Sequence, residues 1–345
     1  MEICYVRERV NTPEEYLAAL LAGRVNIFIE TEQLPALFAL LQAEQNASPC
    51  VSWGYASLLL EGDGCKKNAY TATTLLSALA ESGFAPAQDS LGLCYERGTG
   101  VQKDLTRAAQ WYARAAEQGH PMAQNSLGNC YVKGEGVSKN EALAVQWFER
   151  AAEGGNITAL CNLGSCYECG VGVPKDPARA FRLYEKGAAY GNADAQCHVG
   201  ICYLHGIGVP KNDTLAAQWF EKAAAQNHPV AQNNLGFHHE TGKGVSRNGT
   251  LSAHLFEQAA RQGSATALYN LGLCYEKGFG VPKNYTCAMT LYERAAAKGI
   301  SEANAALAAL RKSMCPHCGA FFSKTTKKGV FGEKTVCSAC GKKLS

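Results

Sequence analysis

Nothing in this chain approaches the roughly 18 consecutive apolar residues of a membrane-spanning helix, so no helical span is expected. The opening residues, MEICYVRERV, lack the basic-then-apolar layout of a secretory leader. No Ser-x-x-Lys occurs anywhere, which removes the serine–lysine pair of a penicillin-binding-type β-lactamase. Recurrent Gly-x-Gly-Val segments lack the third glycine of a dinucleotide fingerprint, and each follows a helical rather than a strand pattern. No constellation of nucleophile, base and oxyanion donor suggests an enzyme, and no small-molecule substrate is expected. An excess of one charge is also missing: 33 Lys/Arg stand against 30 Asp/Glu. That balance conceals an asymmetry, because residues 311–345 carry eight Lys/Arg and one acid while the remainder is net acidic by four.

The chain does have a beat. Gly92, Gly128, Gly164, Gly200, Gly236 and Gly272 recur at a step of 36 residues without an insertion. A second pair, from Gly98/Gly100 through Gly134/Gly136 to Gly278/Gly280, keeps the same step. Self-similarity at this period specifies a solenoid of stacked supersecondary units. Each unit reads as two helices. Ala123, Leu127 and Tyr131 form an apolar stripe at helical spacing, with Gly128 inside it. A helix-weakening glycine repeated in every copy implies close approach of a neighbouring helix. Gly134 and Gly136 end the first helix. Asn140 and its equivalents Asp104, Asp176, Asn212, Asn248 and Asn284 are N-caps for the second. Ala144, Trp147, Phe148, Ala151 and Ala152 then mark one buried side, and Gly155 closes the helix.

Ala-x-x-x-Leu-Gly-x-x-Tyr, Gly-x-Gly-Val and an aromatic pair before Ala-Ala resemble the Sel-one-like repeat, a longer relative of the tetratricopeptide repeat. The resemblance covers about three quarters of the chain. It implies an all-α, right-handed α-solenoid superhelix with a concave face, and the role of an adaptor that holds other proteins together. Secreted proteins of this kind carry disulfides between the helices of a repeat, which needs a second periodic cysteine that is absent here. Cys94, Cys130, Cys166, Cys202 and Cys274 share one repeat position. Helices in contact lie about 8–10 Å apart, too far for a disulfide whose Cα atoms must approach within about 7 Å. The ladder is therefore expected to pack as buried free thiols, and a reducing cytoplasm is the expected compartment.

Three segments follow. Residues 1–49 are expected to cap the apolar end of the stack or to form a small interaction module: a helix starting at Thr12-Pro13-Glu14-Glu15, a strand near Val25–Ile29 and a helix over Leu34–Gln45. Residues 50–312 hold seven repeats, the first degenerate, plus a capping helix over 303–312. Residues 313–345 contain Cys315-Pro-His-Cys318 and Cys337-Ser-Ala-Cys340, whose spacing reads as a Cys₄ zinc site. Four thiolates close the tetrahedron, so the expected Zn²⁺ is structural. The segment looks like a zinc ribbon whose hairpin turns near Lys327-Lys328-Gly329, with Phe321, Phe322, Val330 and Phe331 as its small core.

One polar column recurs away from the apolar stripe of the first helices: Ser90, Ser126, Asn162, His198, Asn234 and Asn270, with Asn125 and Asn233 beside it. Carboxamides along a groove can hydrogen-bond the backbone of an extended peptide; a hydrated face or helix–helix bonding explains the same pattern. Asn162, His198, Asn234, Asn270, Asn125 and Asn233 are the candidate partner-binding residues. The alternative function is a regulatory protein whose basic ribbon contacts nucleic acid while the repeats recruit a partner. His238-His239 replaces Cys-Tyr and reads as a repeat substitution. The sequons at Asn156, Asn212, Asn248 and Asn284 read as by-products of capping.

Overall fold

A computed structural model describes the backbone of residues 8–24, 27–312, 324–329 and 332–337. The described residues form a solenoid of helical hairpins, together with two short strand pairs, and the chain divides into two compact units, 1–192 and 193–345. In the first unit, a parallel strand pair, β1 (Glu8–Arg9) and β2 (Ile27–Phe28), flanks α1 (Pro13–Leu21), and α2 (Leu34–Ala43) follows. Thr12 caps α1 by accepting from the Glu15 amide, while the Glu15 carboxylate accepts from Asn11 N–H at 2.8 Å. Val25 and Asn26 lie outside the described residues. Four helix pairs come next: α3 (Pro49–Glu61) with α4 (Ala69–Glu81), α5 (Ala85–Arg97) with α6 (Leu105–Glu117), α7 (Pro121–Lys133) with α8 (Glu141–Glu153), and α9 (Ile157–Cys169) with α10 (Pro177–Ala189). Leu20, Leu37 and Leu41 of the N-terminal helices are buried with Val51 and Tyr55 of α3.

The second unit repeats the plan: α11 (Ala193–His205) with α12 (Asp213–Ala225), α13 (Pro229–Thr241) with α14 (Gly249–Arg261), α15 (Ala265–Lys277) with α16 (Tyr285–Ala297), and a last helix, α17 (Ser301–Lys312). Beyond it, β3 (Lys324–Gly329) pairs antiparallel with β4 (Gly332–Cys337). This corrects the expected turn. Lys327, Lys328 and Gly329 belong to the strand and pair with Lys334, Glu333 and Gly332. Cys315, Cys318 and Cys340 lie outside the described residues, as do the side chain of Cys337 and the proposed ribbon core.

The local chemistry explains the regularity. Asp104, Asn140, Asp176, Asn212, Asn248 and Asn284 each accept a backbone N–H in the first turn of a second helix. Asn156 caps α9 and is 2% exposed, its amide donating to Pro121 O at 3.3 Å. All four sequons are thus helix caps.

The recurrent glycines do different jobs. A Cβ on Gly128 would stand 2.6 Å from the Phe148 ring, and one on Gly92 2.7 Å from the Tyr112 ring. The inner glycine therefore seats the buried second-helix aromatic of each repeat, Tyr112, Phe148, Tyr184, Phe220, Phe256 and Tyr292, preceded by Trp in three repeats and by Leu in three. Gly98, Gly134, Gly170, Gly242 and Gly278 take the left-handed C-cap, as expected. The glycine two residues later ends nothing. Gly136 lies on the Leu105 carbonyl and Gly100 on the Ala69 carbonyl, each at the start of the second helix one repeat earlier. Gly244 on Asp213 and Gly280 on Gly249 repeat this in the second unit. That glycine is an inter-repeat contact.

The first member of the aromatic pair is half-buried and covered by a cation from the next turn. Arg114 stands 4.4 Å over Trp111, Arg150 4.8 Å over Trp147 and Lys222 3.9 Å over Trp219. Where the buried aromatic is tyrosine, its hydroxyl donates to a glutamate on the first helix: Tyr112 to Glu96 at 2.7 Å, Tyr184 to Glu168 at 2.8 Å, Tyr292 to Glu276 at 2.5 Å. The matching position holds Val132 in the repeat of Phe148 and Leu204 in that of Phe220, but Glu240 in that of Phe256. A buried hydroxyl needs a partner, and each of the three tyrosines has one.

Candidate functional site

The polar column is built by the first helices, and its members meet across repeats. In the first unit the Trp53 indole N–H donates to Ser90 Oγ at 3.0 Å. The Asn162 amide donates to Asn125 Oδ1 at 2.8 Å and approaches Asn129 Oδ1 at 3.5 Å. In the second unit the Asn270 amide donates to Asn233 Oδ1 at 3.0 Å. Each bond links residues 37 positions apart, one more than the period, so each ties a first helix to the first helix before it. The expected residues thus separate into two kinds. Asn125 is buried and Asn233 half-buried, and both serve as acceptors within the stack. Asn162 and Asn270 are half-buried and donate one N–H, and among the described residues nothing donates to their Oδ1 atoms. Asn234 is half-buried and makes no side-chain hydrogen bond among the described residues. His198, also half-buried, holds the same register.

Asp89, which sequence reading passed over, breaks this pattern. It occupies the Asn125 position one repeat earlier, and Ser126 stands opposite it where Asn162 stands opposite Asn125. No bond joins them, and Asp89 Oδ1 is buried without a hydrogen-bond partner. Burial, with the Glu96 charge adding to it, pushes the Asp89 carboxyl up to about 7. The signal was available in the repeat register, where Asp89 is the one carboxylate in a column otherwise of Asn125, Cys161, Cys197, Asn233 and Tyr269. Between Trp53 and Asn162 the first helices thus hold Ser90 and Asn125 as acceptors within the stack and Asp89 as a carboxylate without such a bond at Oδ1.

The other candidates resolve as structural groups. Cys94, Cys130, Cys166, Cys202 and Cys274 are free and buried. Burial pushes the Cys94, Cys130 and Cys166 thiols up to about 11 and Cys274 to about 12. His238 is buried where those cysteines stand and bonds Lys243 O at 2.7 Å; His239 bonds Ser246 O at 3.1 Å. Among the described residues no group of three or more His, Cys, Asp or Glu is placed to hold a metal ion, and no helix is long and apolar enough to cross a membrane.

Comparison with known proteins agrees with this architecture. The Sel1 repeat pattern matches seven consecutive segments: 52–84, 85–120, 121–156, 157–192, 193–228, 229–264 and 265–300. A protective antigen of uropathogenic Escherichia coli with an SLR fold is similar at 33% identity and TM-score 0.65, over 81% of this chain and 60% of its own. This chain thus spans less than two thirds of that protein's length. A Sel1 repeat protein of Oxalobacter formigenes is similar at 33% identity and TM-score 0.61, over 72% of this chain and 96% of its own. No curated protein sequence matches. Seven matched repeats, the glycine-seated aromatics and the capped second helices together establish that the chain belongs to the Sel1 repeat family.

Proposed function

We propose that the chain is a scaffold that holds an extended peptide segment of a partner protein along its first-helix faces. Sel1 repeat proteins are in general non-enzymatic protein-interaction scaffolds, which supports the class of function. The observation that carries the proposal is the asparagine ladder. Asn162 and Asn270 each use one N–H on the preceding repeat, which fixes the carboxamide and leaves its oxygen to accept from a peptide N–H. An acceptor ordered before binding costs less to engage than a free side chain. Replacing Asn162, Asn234 and Asn270 together by alanine is expected to weaken the partner captured by the intact chain by at least about tenfold, at about 1 kcal/mol per neutral hydrogen bond. Capture unchanged in amount and identity by quantitative pull-down would remove the proposal.

The tail is proposed to be a zinc ribbon, with Cys315, Cys318, Cys337 and Cys340 holding one Zn²⁺ as thiolates. Two features fit. Four cysteines in two Cys-x-x-Cys pairs are a complete donor set. In sequence, one pair precedes β3 and the other spans the end of β4, whose Cys337 is opposite Lys324. Bound zinc would supply folding energy that so short a segment cannot draw from a core. Elemental analysis is expected to find about one zinc per chain, lost on Cys337→Ser. The cytoplasm is proposed as the compartment, on the strength of the free-thiol ladder. The alternative reading, nucleic-acid contact through this ribbon, rests on the eight Lys/Arg of the tail. It requires salt-sensitive oligonucleotide binding that disappears on deleting 313–345.

A further inference from the structure

A pocket of about 390 Å³ opens in the second unit, between α14 and α16, with α15 as its floor. Its origin lies in the repeat register. The residue twelve positions after the first-helix tyrosine, which is His239 in one repeat, comes from the second helix of the same repeat: Arg107, Leu143, Arg179, Leu215, Leu251 and Cys287 in turn. Where it is arginine, it lies on that tyrosine: Arg179 stands 4.1 Å from the Tyr167 ring centre and Arg107 5.6 Å from that of Tyr95. Leucine fills the position in three further repeats. Cys287 is the smallest of the six, and the space opens where it stands, beside Tyr275.

The lining is apolar in its depth and cationic at its edge. Ala260, Leu271, Leu291 and Tyr275 form the walls. Arg261 is paired with Glu257 at 2.7 Å and contributes no net charge. Arg294, also lining the pocket, is exposed and has no ion-pair partner among the described residues. The volume lies at the lower end of the range for small-ligand sites, and such sites combine apolar walls with one or two charged anchors.

We propose that this pocket binds an aromatic carboxylate, with the ring against Tyr275 in the space that Cys287 leaves and the carboxylate on Arg294. The site is separate from the asparagine ladder and takes a ligand rather than a substrate. The probe is 3-indolepropionate, titrated calorimetrically into the full chain. Saturable binding is expected for the acid, binding about tenfold weaker for its neutral amide, and none for tryptamine, which carries the same ring with the opposite charge. Cys287→Leu restores the side chain that the chain itself uses at 143, 215 and 251, so it keeps the fold while occupying the space beside Tyr275, and it is expected to weaken binding at least about tenfold. Arg294→Gln is expected to weaken the acid about tenfold and to leave the amide unchanged. Bound acid also slows iodoacetamide labelling of Cys287, read on its own peptide by mass spectrometry. The peptide Gly-Gly-Trp with a free carboxylate carries the same two groups; whichever of it and the acid binds more tightly tells a chain terminus from a free small acid. Failure of the acid to saturate at millimolar concentration, equal binding to Cys287→Leu, or equal affinity for tryptamine would each overturn the proposal.

Discussion

Alanine substitution of two glycines, Gly119 and Gly136, separates the contact between repeats from the conformational demand of a turn. Both have positive φ, +85° and +74°. A side chain in that region costs about 1–2 kcal/mol at either position. At Gly119 an added Cβ meets nothing within 4 Å, so Gly119→Ala is expected to lose only that amount. At Gly136 the Cβ overlaps the Leu105 carbonyl, the backbone of the preceding repeat, which cannot rotate aside as a side chain can. Relief requires the turn after α7 to lift off the start of α6, an overpacking cost of about 1–3 kcal/mol more. Gly136→Ala is therefore expected to destabilise by about 3 kcal/mol against about 1.5 for Gly119→Ala. Urea unfolding followed by far-UV circular dichroism gives both values in one series. Gly134→Ala is a third point: φ is +73° and the nearest contact, Lys139 Cβ at 3.3 Å, needs a shift of only a few tenths of an ångström, so it should fall between the two. Equal losses at 119 and 136 would refute the reading of the second glycine as the contact between repeats.

Other expectations follow from the same geometry. Tyr112→Phe should destabilise by about 1–2 kcal/mol, because Glu96 loses the hydroxyl that bonds it, and adding Glu96→Val should recover most of that, since Phe148 opposite Val132 is already such a pair. The Asp89 carboxyl, raised to about 7 in the fold, binds a proton that the unfolded chain releases from about 4 upward. Folding stability should accordingly fall as pH rises between those values and then level off, and Asp89→Asn should flatten this slope in pH-dependent urea titrations. At pH 8 a thiol reagent should label exposed Cys169 well before Cys94, Cys130 or Cys274, whose thiols burial holds at about 11–12. Chelation should remove any zinc from the tail without reducing the helical signal of residues 49–312, because the repeats contain no described metal cluster. Parallel loss of helicity would contradict that separation.

What the sequence carried openly was whatever repeats at a fixed local offset. The inner glycine, the N-cap residues, the aromatic pair and the buried thiols all sit within one helical hairpin, and recurrence in three to seven copies makes each legible. The N-terminal helices were readable for the same local reason, through Thr12 with Pro13 and Glu15. Contacts that join one repeat to the next were not. Gly136 looks like a second helix stop until the Leu105 carbonyl is seen against it, because a 31-residue separation has no signature inside either helix. The asparagine bonds run over 37 residues rather than 36, so a column drawn at strict period aligns Asn162 with Ser126 and hides its partner, Asn125. Asp89 and Cys287 were overlooked for the opposite reason. They are departures from the repeat, and averaging over copies to find the pattern discards them. The tail hairpin was mistimed because Lys-Lys-Gly resembles a turn, whereas Gly329 pairs directly with Gly332.

Hydrogen–deuterium exchange of the intact chain, alone and with its captured partner, addresses the scaffold reading most directly. Slowed exchange is expected along α7 and α9 in the first unit and α13 and α15 in the second, the helices that carry the asparagine ladder. Protection confined to the second helices α6, α8, α14 and α16, or to residues 313–345 alone, would contradict it.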